Sequence, residues 1–371
     1  MQIDSIELFL VALPRRKPLE TTTGTWNTLQ SVVVRMQSGD VSGWGEAAPG
    51  NAPLAGPDWA AGAFACLKDW LAPALSGQMI DDAEALQTRL KPFRGNQFAK
   101  AALDAAWWDL EARRQGRPLH EVLGGTRDAI SVGPTFDKMD SFDEFIAAIG
   151  RAFEAGFARV RLMLRPGWDV QMVAAVRREF PSQAIHVDVE GDLTLDQAEI
   201  LQRLDDFCLE MVEQPLPAFD LVGHAMMQES VSTAICLDES LTGVEQAEVA
   251  LELKSCRYMN VQPGRTGGLT PAAAMHDLAA GDGVPCFVGA MPQSAIGVRT
   301  GLALAAKENF TYPSDFFPTE EILEKDLADP LPTGRDEDGN LLVNLSSEPG
   351  IGIEPERTLL EGFAIDRAKI A

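Results

Sequence analysis

Residues 184–190 read AIHVDVE, residues 209–215 LEMVEQP and residues 234–240 AICLDES. Each is a short apolar, partly β-branched run that closes on an acid: Asp188, then Glu213, then Asp238. The acids are spaced 25 residues and again 25, the length of one strand, one helix and their connections. Short buried strands alternating with helical patterns point to a parallel sheet covered by helices.

The same rhythm extends in both directions. Upstream lie AISVGPTF (129–136) and RVRLML (159–164); downstream lie YMNVQP (258–263), VPCFVGA (284–290) and the weaker NFTYP (309–313). Between them run helical patterns such as WDVQMVAAVRREF (168–180) and GVEQAEVALELK (243–254). Seven or eight such units predict a closed (β/α) barrel. A doubly wound open sheet is the alternative, but no GxGxxG opens the first unit. The first ~125 residues have a different order, strands first (SIELFLVAL, TLQSVVVRM) and helices after, as in an α+β unit. The last ~50 lose the alternation around a DEDGN turn and are expected to fold back on the first unit. The expected fold class is therefore α/β, a barrel of residues 126–320 with an N-terminal cap of residues 1–125, completed by residues 321–371.

Composition narrows the partners. Asp and Glu number 55 against 31 Lys and Arg, a formal charge of −24, which argues against nucleic acid or an anionic membrane surface. No apolar run approaches a membrane span, and MQIDSIELFLVALP carries an acid where a signal peptide has basic residues, so a cytoplasmic protein is expected. The five cysteines are scattered, with no CxxC, and read as small buried hydrophobes.

In a parallel barrel, chemistry sits at the C-terminal ends of the strands. Neighbouring strands lie about 4.8 Å apart, so acids ending three consecutive strands crowd together. Buried carboxylates tolerate this only when something neutralises them. A hard divalent ion with oxygen ligands would do so. Helix capping or pairing with arginine explains any one acid alone, but not easily three in register.

At this point a resemblance becomes specific. AKAALDAAWWDLEARRQGRPLHEVLGG (99–125), GFARVRLMLRPGWDV (156–170), VDVE, MVEQP, CLDES and GRTGGL (264–269) resemble, in order, landmarks of the enolase superfamily. The similarity is to its muconate lactonizing enzyme subgroup, which includes o-succinylbenzoate synthases and N-succinylamino acid racemases. It implies a capping domain over a modified TIM barrel, (β/α)7β, with one Mg²⁺ on Asp188, Glu213 and Asp238. It also implies a small carboxylate substrate, whose enediolate the metal stabilises, and a symmetric homo-oligomer.

The pattern then breaks. The resemblance places the subgroup's acid and base lysines in a Lys-x-Lys on the second strand and at the end of the sixth. This chain has Arg161, Leu162 and Met163 at the first place and Gln262 at the second. No lysine occurs between Lys138 and Lys254, so no shift of alignment restores one. Methionine takes no proton, an amide is no base, and arginine stays charged but makes a good carboxylate fork. Two further positions differ: Glu190 stands where asparagine is expected, and Gln293 where a glutamate is expected.

By the two-residue strand period, Glu190 is expected to share the inward face with Asp188 and His186. It is read foremost as the ion-pair partner of Arg161, with base or fourth ligand as alternatives. His186 is expected to be a packed core residue one layer deeper, and His120, His224 and His276 to be structural. Arg161, Gln262 and Gln293 are the candidate substrate-binding groups. The leading expectation is a Mg²⁺-dependent lyase or isomerase with a non-standard acid/base set. The alternatives are a catalytically silent carboxylate-binding or regulatory descendant that keeps the metal, and a metal-free structural protein.

Overall fold

The computed structural model describes residues 1–21, 24–54 and 56–371. Its cap begins with three antiparallel strands, β1 (Ser5–Thr21), β2 (Gly24–Ser38) and β3 (Val41–Ala47). The helix Gln97–Gln115 lies across them. It comes so close that a Cβ on Gly43 would sit 2.2 Å from the Ala106 carbonyl, and one on Gly45 2.1 Å from that of Ala102. Small residues on both surfaces therefore allow the contact, and the helix buries Ala102, Leu103, Ala106, Trp107 and Leu110 in the cap core.

Strands β4 (Ala129–Gly133) and β5 (Thr135–Phe136) open the second unit. A curled parallel sheet follows through β6 (Arg159–Met163), β7 (Ala184–Asp188), β8 (Met211–Glu213), β9 (Ala234–Leu237), β10 (Tyr258–Val261) and β11 (Cys286–Val288). Strand β12 (Ser314–Asp315) pairs in parallel with β4, bringing the far end of the chain's barrel back to its start. Outward residues such as Val160, Leu162, Ile185, Val187 and Val212 pack against the helices. On the inward face, one position out of phase, stand Arg159, Arg161 and Met163 of β6 and His186 and Asp188 of β7, all buried. The sheet thus encloses buried charges, beside a small apolar cluster of Met211, Cys236, Phe287 and Tyr312, within an apolar shell.

The C-terminal segment divides. Strands β13 (Thr333–Arg335) and β14 (Leu341–Asn344) form a hairpin around the DEDGN turn, and β14 pairs with β4 rather than with the cap. Only β15 (Ala364–Ile370) joins the cap sheet, antiparallel to β1.

Cap and barrel are fastened by two carboxylates, Glu46, half-buried, and Asp104, buried. Glu46, at the end of β3, accepts from Ser294 N (3.1 Å), Ser294 Oγ (2.6 Å) and Gly297 N (3.0 Å) at the start of the helix Ala295–Leu304. Its charge meets the unpaired N–H groups and positive dipole end of that helix. Asp104 accepts from Thr270 N (3.0 Å) and Thr270 Oγ1 (2.6 Å).

Candidate active site

Parallel pairing sets the height of each acid. Met163 lies across from Asp188, and Asp188 across from Glu213, so the ends of β6, β7 and β8 are level. Asp238 follows β9 directly, and Gln262 follows β10. All three acids are buried, Glu213 completely.

Their oxygens are held by arginines and an amide. Nη1 of Arg161 stands 3.1 Å from Asp315 Oδ2, 3.2 Å from Glu213 Oε1 and 3.5 Å from Asp188 Oδ2. Its Nε donates to Thr135 Oγ1 at 2.9 Å. Arg159 pairs with Asp315 at 2.6 Å, and Asn260 Nδ2 donates to Glu213 Oε1 at 2.7 Å. Arg265 binds Asp238 and, at 3.0 Å, Glu239.

Below them His186 Nδ1 lies 3.0 Å from the Tyr312 hydroxyl, and Nε2 lies 3.2 Å from Glu213 Oε2. That second approach is within ion-pair distance, but its angles do not make a hydrogen bond, so among the described residues Glu213 Oε2 is a buried acceptor without a donor. Burial, only partly offset by Glu213, holds the His186 imidazole down at about 4 and hence neutral at pH 7. This fits the packed core role expected for it.

Around the three strand ends, Asp188, Glu213, Asp238, Glu239 and Asp315 face Arg159, Arg161 and Arg265. Five carboxyl groups thus share three guanidiniums, too few cations to pair all five in their ionised form. Burial, followed by the charge of Glu213, pushes Asp188 well above the usual carboxylate range. Burial does the same to Asp238, with Glu239 and Glu213 adding to it against Arg265. Glu213 goes the other way: burial would raise it, but the Arg161 guanidinium, helped by the Asn260 amide, holds it low.

The donor set therefore fits a divalent ion in chemistry and charge, and Glu213 Oε2 is an oxygen still free to coordinate. As the side chains lie, however, no three acidic, histidine or cysteine groups among the described residues are arranged to chelate one ion. The guanidiniums stand among the oxygens instead.

Two expectations require correction. Glu190 does not pair with Arg161. Strand β7 ends at Asp188, and Glu190 has a left-handed backbone (φ 53°), so the strand period no longer applies there. The side chain turns outward to Arg165, which also binds Asp137 at 2.8 Å. In this arrangement Arg165 holds the Glu190 carboxylate, whose charge still acts on Asp188. Arg161 is likewise not an open fork for a substrate, being buried against three carboxylates.

Gln262 and Gln293 do meet, but in a cavity of about 40 Å³ between cap and barrel, shared with Glu46, Gly268 and Gly289. That is space for a few waters. A larger cavity of about 250 Å³ opens beside it, lined by Pro49, Asp58, Phe98, Glu239, Arg265 and Met291. Burial raises the Asp58 carboxyl despite backbone N–H donors from Phe98 and Gln97. Pro49 and Asp58 bring the segment after β3 to the cavity wall.

Sequence reasoning missed Asp315, Asn260, Arg159, Arg265 and Glu239 as members of the cluster. Asn260 had a signal, standing two residues before Gln262 on the same strand face, and Glu239 directly follows an expected ligand. Asp315 had none, because β12 is two residues long.

These features define an α/β barrel with a cap and an acidic, strand-end site. The chain matches two family models: mandelate racemase / muconate lactonizing enzyme, N-terminal domain, over residues 5–124, and enolase C-terminal domain-like over residues 144–359. It belongs to the mandelate racemase/muconate lactonizing enzyme family of the enolase superfamily. Among its relatives is an o-succinylbenzoate synthase from Geobacillus kaustophilus, 36% identical over 98% of this chain and 96% of that protein. An N-succinylamino acid racemase from Thermus thermophilus is 35% identical over 97% of each. A crystal structure of an unknown member of the enolase superfamily from Enterococcus faecalis V583 superposes with a TM-score of 0.92. It is 31% identical, with 100% of this chain and 99% of that one covered. No helix among the described residues is long and apolar enough to cross a membrane.

Proposed function

We propose that this chain binds a divalent ion, Mg²⁺, through Asp188, Glu213 and Asp238, and with it a small carboxylate, without lysine-based proton transfer. The observation that carries this reading is the identity of the three positions where acid and base would stand. Met163 takes no proton, Gln262 faces a water-sized space, and Arg161 is bound to Asp188, Glu213 and Asp315. The metal, when bound, supplies a positive centre for one end of a ligand carboxylate. The chain's own residues do the rest. Phe98, Pro49 and Met291 offer apolar surface to the ligand body, Arg265 and Glu239 join the cavity to the acid cluster, and the cap fastened by Glu46 and Asp104 limits access of water. The relatives' names suggest the ligands to try first, N-succinylamino acids and o-succinylbenzoate.

Calorimetry with these compounds and a wider panel of acyl-amino acids, with and without Mg²⁺, tests binding. Proton NMR in D₂O follows the α-proton. Saturable, Mg²⁺-dependent binding with no α-proton exchange is expected; exchange above the protein-free rate would overturn the reading.

One observation favours a second reading, a lyase or isomerase working with a single base. Asp58 lines the larger cavity, and burial raises its carboxyl above its ordinary value, which makes it a stronger proton acceptor than an exposed aspartate. Under that reading α-proton exchange is present in the unaltered protein and absent in Asp58→Asn.

A further inference from the structure

We infer that Arg161 is a resident competitor for the divalent ion, a fixed internal cation that sets how tightly the acids can hold a metal. The inference rests on the proposed assignment of Asp188 and Glu213 as ligands. One nitrogen, Nη1, lies 3.2 Å from Glu213 Oε1 and 3.5 Å from Asp188 Oδ2, so it addresses an oxygen of two of the three ligands. Asp315 Oδ2 at 3.1 Å and Thr135 Oγ1 at 2.9 Å hold the same guanidinium from further round.

Nothing in this arrangement lets the group retreat easily. The residue is 7% exposed, and its backbone is pinned in the ladder between β5 and β7, opposite Thr135 and His186. A guanidinium is planar, always charged, and engages through several nitrogens at once. A lysine at this position would be a single point charge on a flexible stem, able to swing aside. An incoming dication must therefore either displace Nη1 from two ligands or bind beside a like charge a few ångströms away.

Arg265 differs. It touches only one of the three ligands, and it borders the open cavity. Asn260 is neutral and leaves Glu213 Oε2 untouched. Among the cations of the described residues in contact with the acids, Arg161 alone bridges two expected ligands.

The test is Mn²⁺ binding to the full chain by electron paramagnetic resonance, with the unaltered protein, Arg161→Met and Arg161→Lys. Thermal melting in EDTA and in Mn²⁺ is the second readout. Arg161→Met is expected to bind Mn²⁺ at least tenfold more tightly. It should melt below the unaltered protein in EDTA and recover more of the difference in Mn²⁺, since the ion then replaces the lost guanidinium. Arg161→Lys should tighten binding by a smaller factor, and it carries the comparison if Arg161→Met does not fold. If all three proteins bind Mn²⁺ equally, or the variants bind more weakly, Arg161 is no competitor and the inference falls while the metal site stands. If none binds Mn²⁺, the metal assignment falls and takes the inference with it.

Discussion

Asp109 gives a prediction whose size can be worked from the structure. It is completely buried in the helix Gln97–Gln115 and joins three separate parts of the chain. Its oxygens accept from Trp44 N at 2.8 Å, from Ile351 N at 2.7 Å and from Arg113 Nε at 2.9 Å. Hydrogen bonds to a charged group contribute about 1.5–3 kcal/mol each, so three amount to about 6 kcal/mol. Burial opposes them, raising the carboxyl from 3.8 to about 6 against the pull of Arg113. That shift is what remains after the three hydrogen bonds have acted, and it leaves the ionised form about 3 kcal/mol costlier in the fold than in the unfolded chain. Asp109→Ala removes this cost but leaves two buried N–H groups and the Arg113 guanidinium without their acceptor, at about 1–3 kcal/mol each, so a net destabilisation of about 3 kcal/mol at pH 7 is expected, read from urea unfolding midpoints.

The pH dependence has a definite sign. A carboxyl whose folded pKa is raised binds a proton in the native state before it does in the unfolded one. Its burden on stability is present in full above pH 6 and is relieved as pH falls towards 3.8. The gap between the unaltered protein and Asp109→Ala should accordingly widen between pH 7 and about pH 4. A penalty below about 1 kcal/mol at pH 7, or a gap that narrows on acidification, would refute the reasoning.

Arg159→Met should cost about 3–5 kcal/mol in the same assay, because it leaves the buried Asp315 charge without its 2.6 Å partner; a loss under about 1 kcal/mol would show that Arg161 alone suffices for Asp315. Glu190→Gln should change Mg²⁺ and ligand affinity only about twofold, since the Glu190 carboxylate is held by Arg165 and reaches Asp188 only through its charge; a tenfold loss by calorimetry would return it to the site. Installing Met163→Lys and Gln262→Lys together should introduce α-proton exchange about 10²–10⁴-fold above the unaltered protein, the usual gain from a positioned acid or base. NMR in D₂O showing no exchange, with ligand still bound, would mean that more than the two lysines has been lost.

The barrel and the acid triad were legible because both depend on local pattern. Apolar runs of strand length, repeating with a helix between, carry the parallel sheet, and a residue ending such a run is placed by the run itself. Glu190 was misplaced for the same reason that Asp188 was not. The strand stops at Asp188, and a left-handed residue two positions on obeys turn geometry rather than the two-residue period. Pairings between distant segments were not legible. Asp315 reaches Arg159 and Arg161 from a two-residue strand more than 150 positions away. The C-terminal hairpin joined the barrel because β4 presented it an edge, which nothing in DEDGN reveals.

The pairing of β15 with β1 has a consequence for how the chain is made. Residues 6–11 of β1 are matched to residues 364–370, so the first strand waits for a partner translated some 350 residues later. At about 5–20 residues per second, the nascent cap holds an open edge for tens of seconds. The exposed run there, IELFLV, is apolar and β-prone, the kind of edge that recruits other chains. Arg15, Arg16 and Lys17 follow it closely in the same strand and supply charges that discourage such pairing. Ribosome-bound intermediates of this protein should therefore depend on a chaperone that shields strand edges, and release from it should coincide with emergence of the last seven-residue strand.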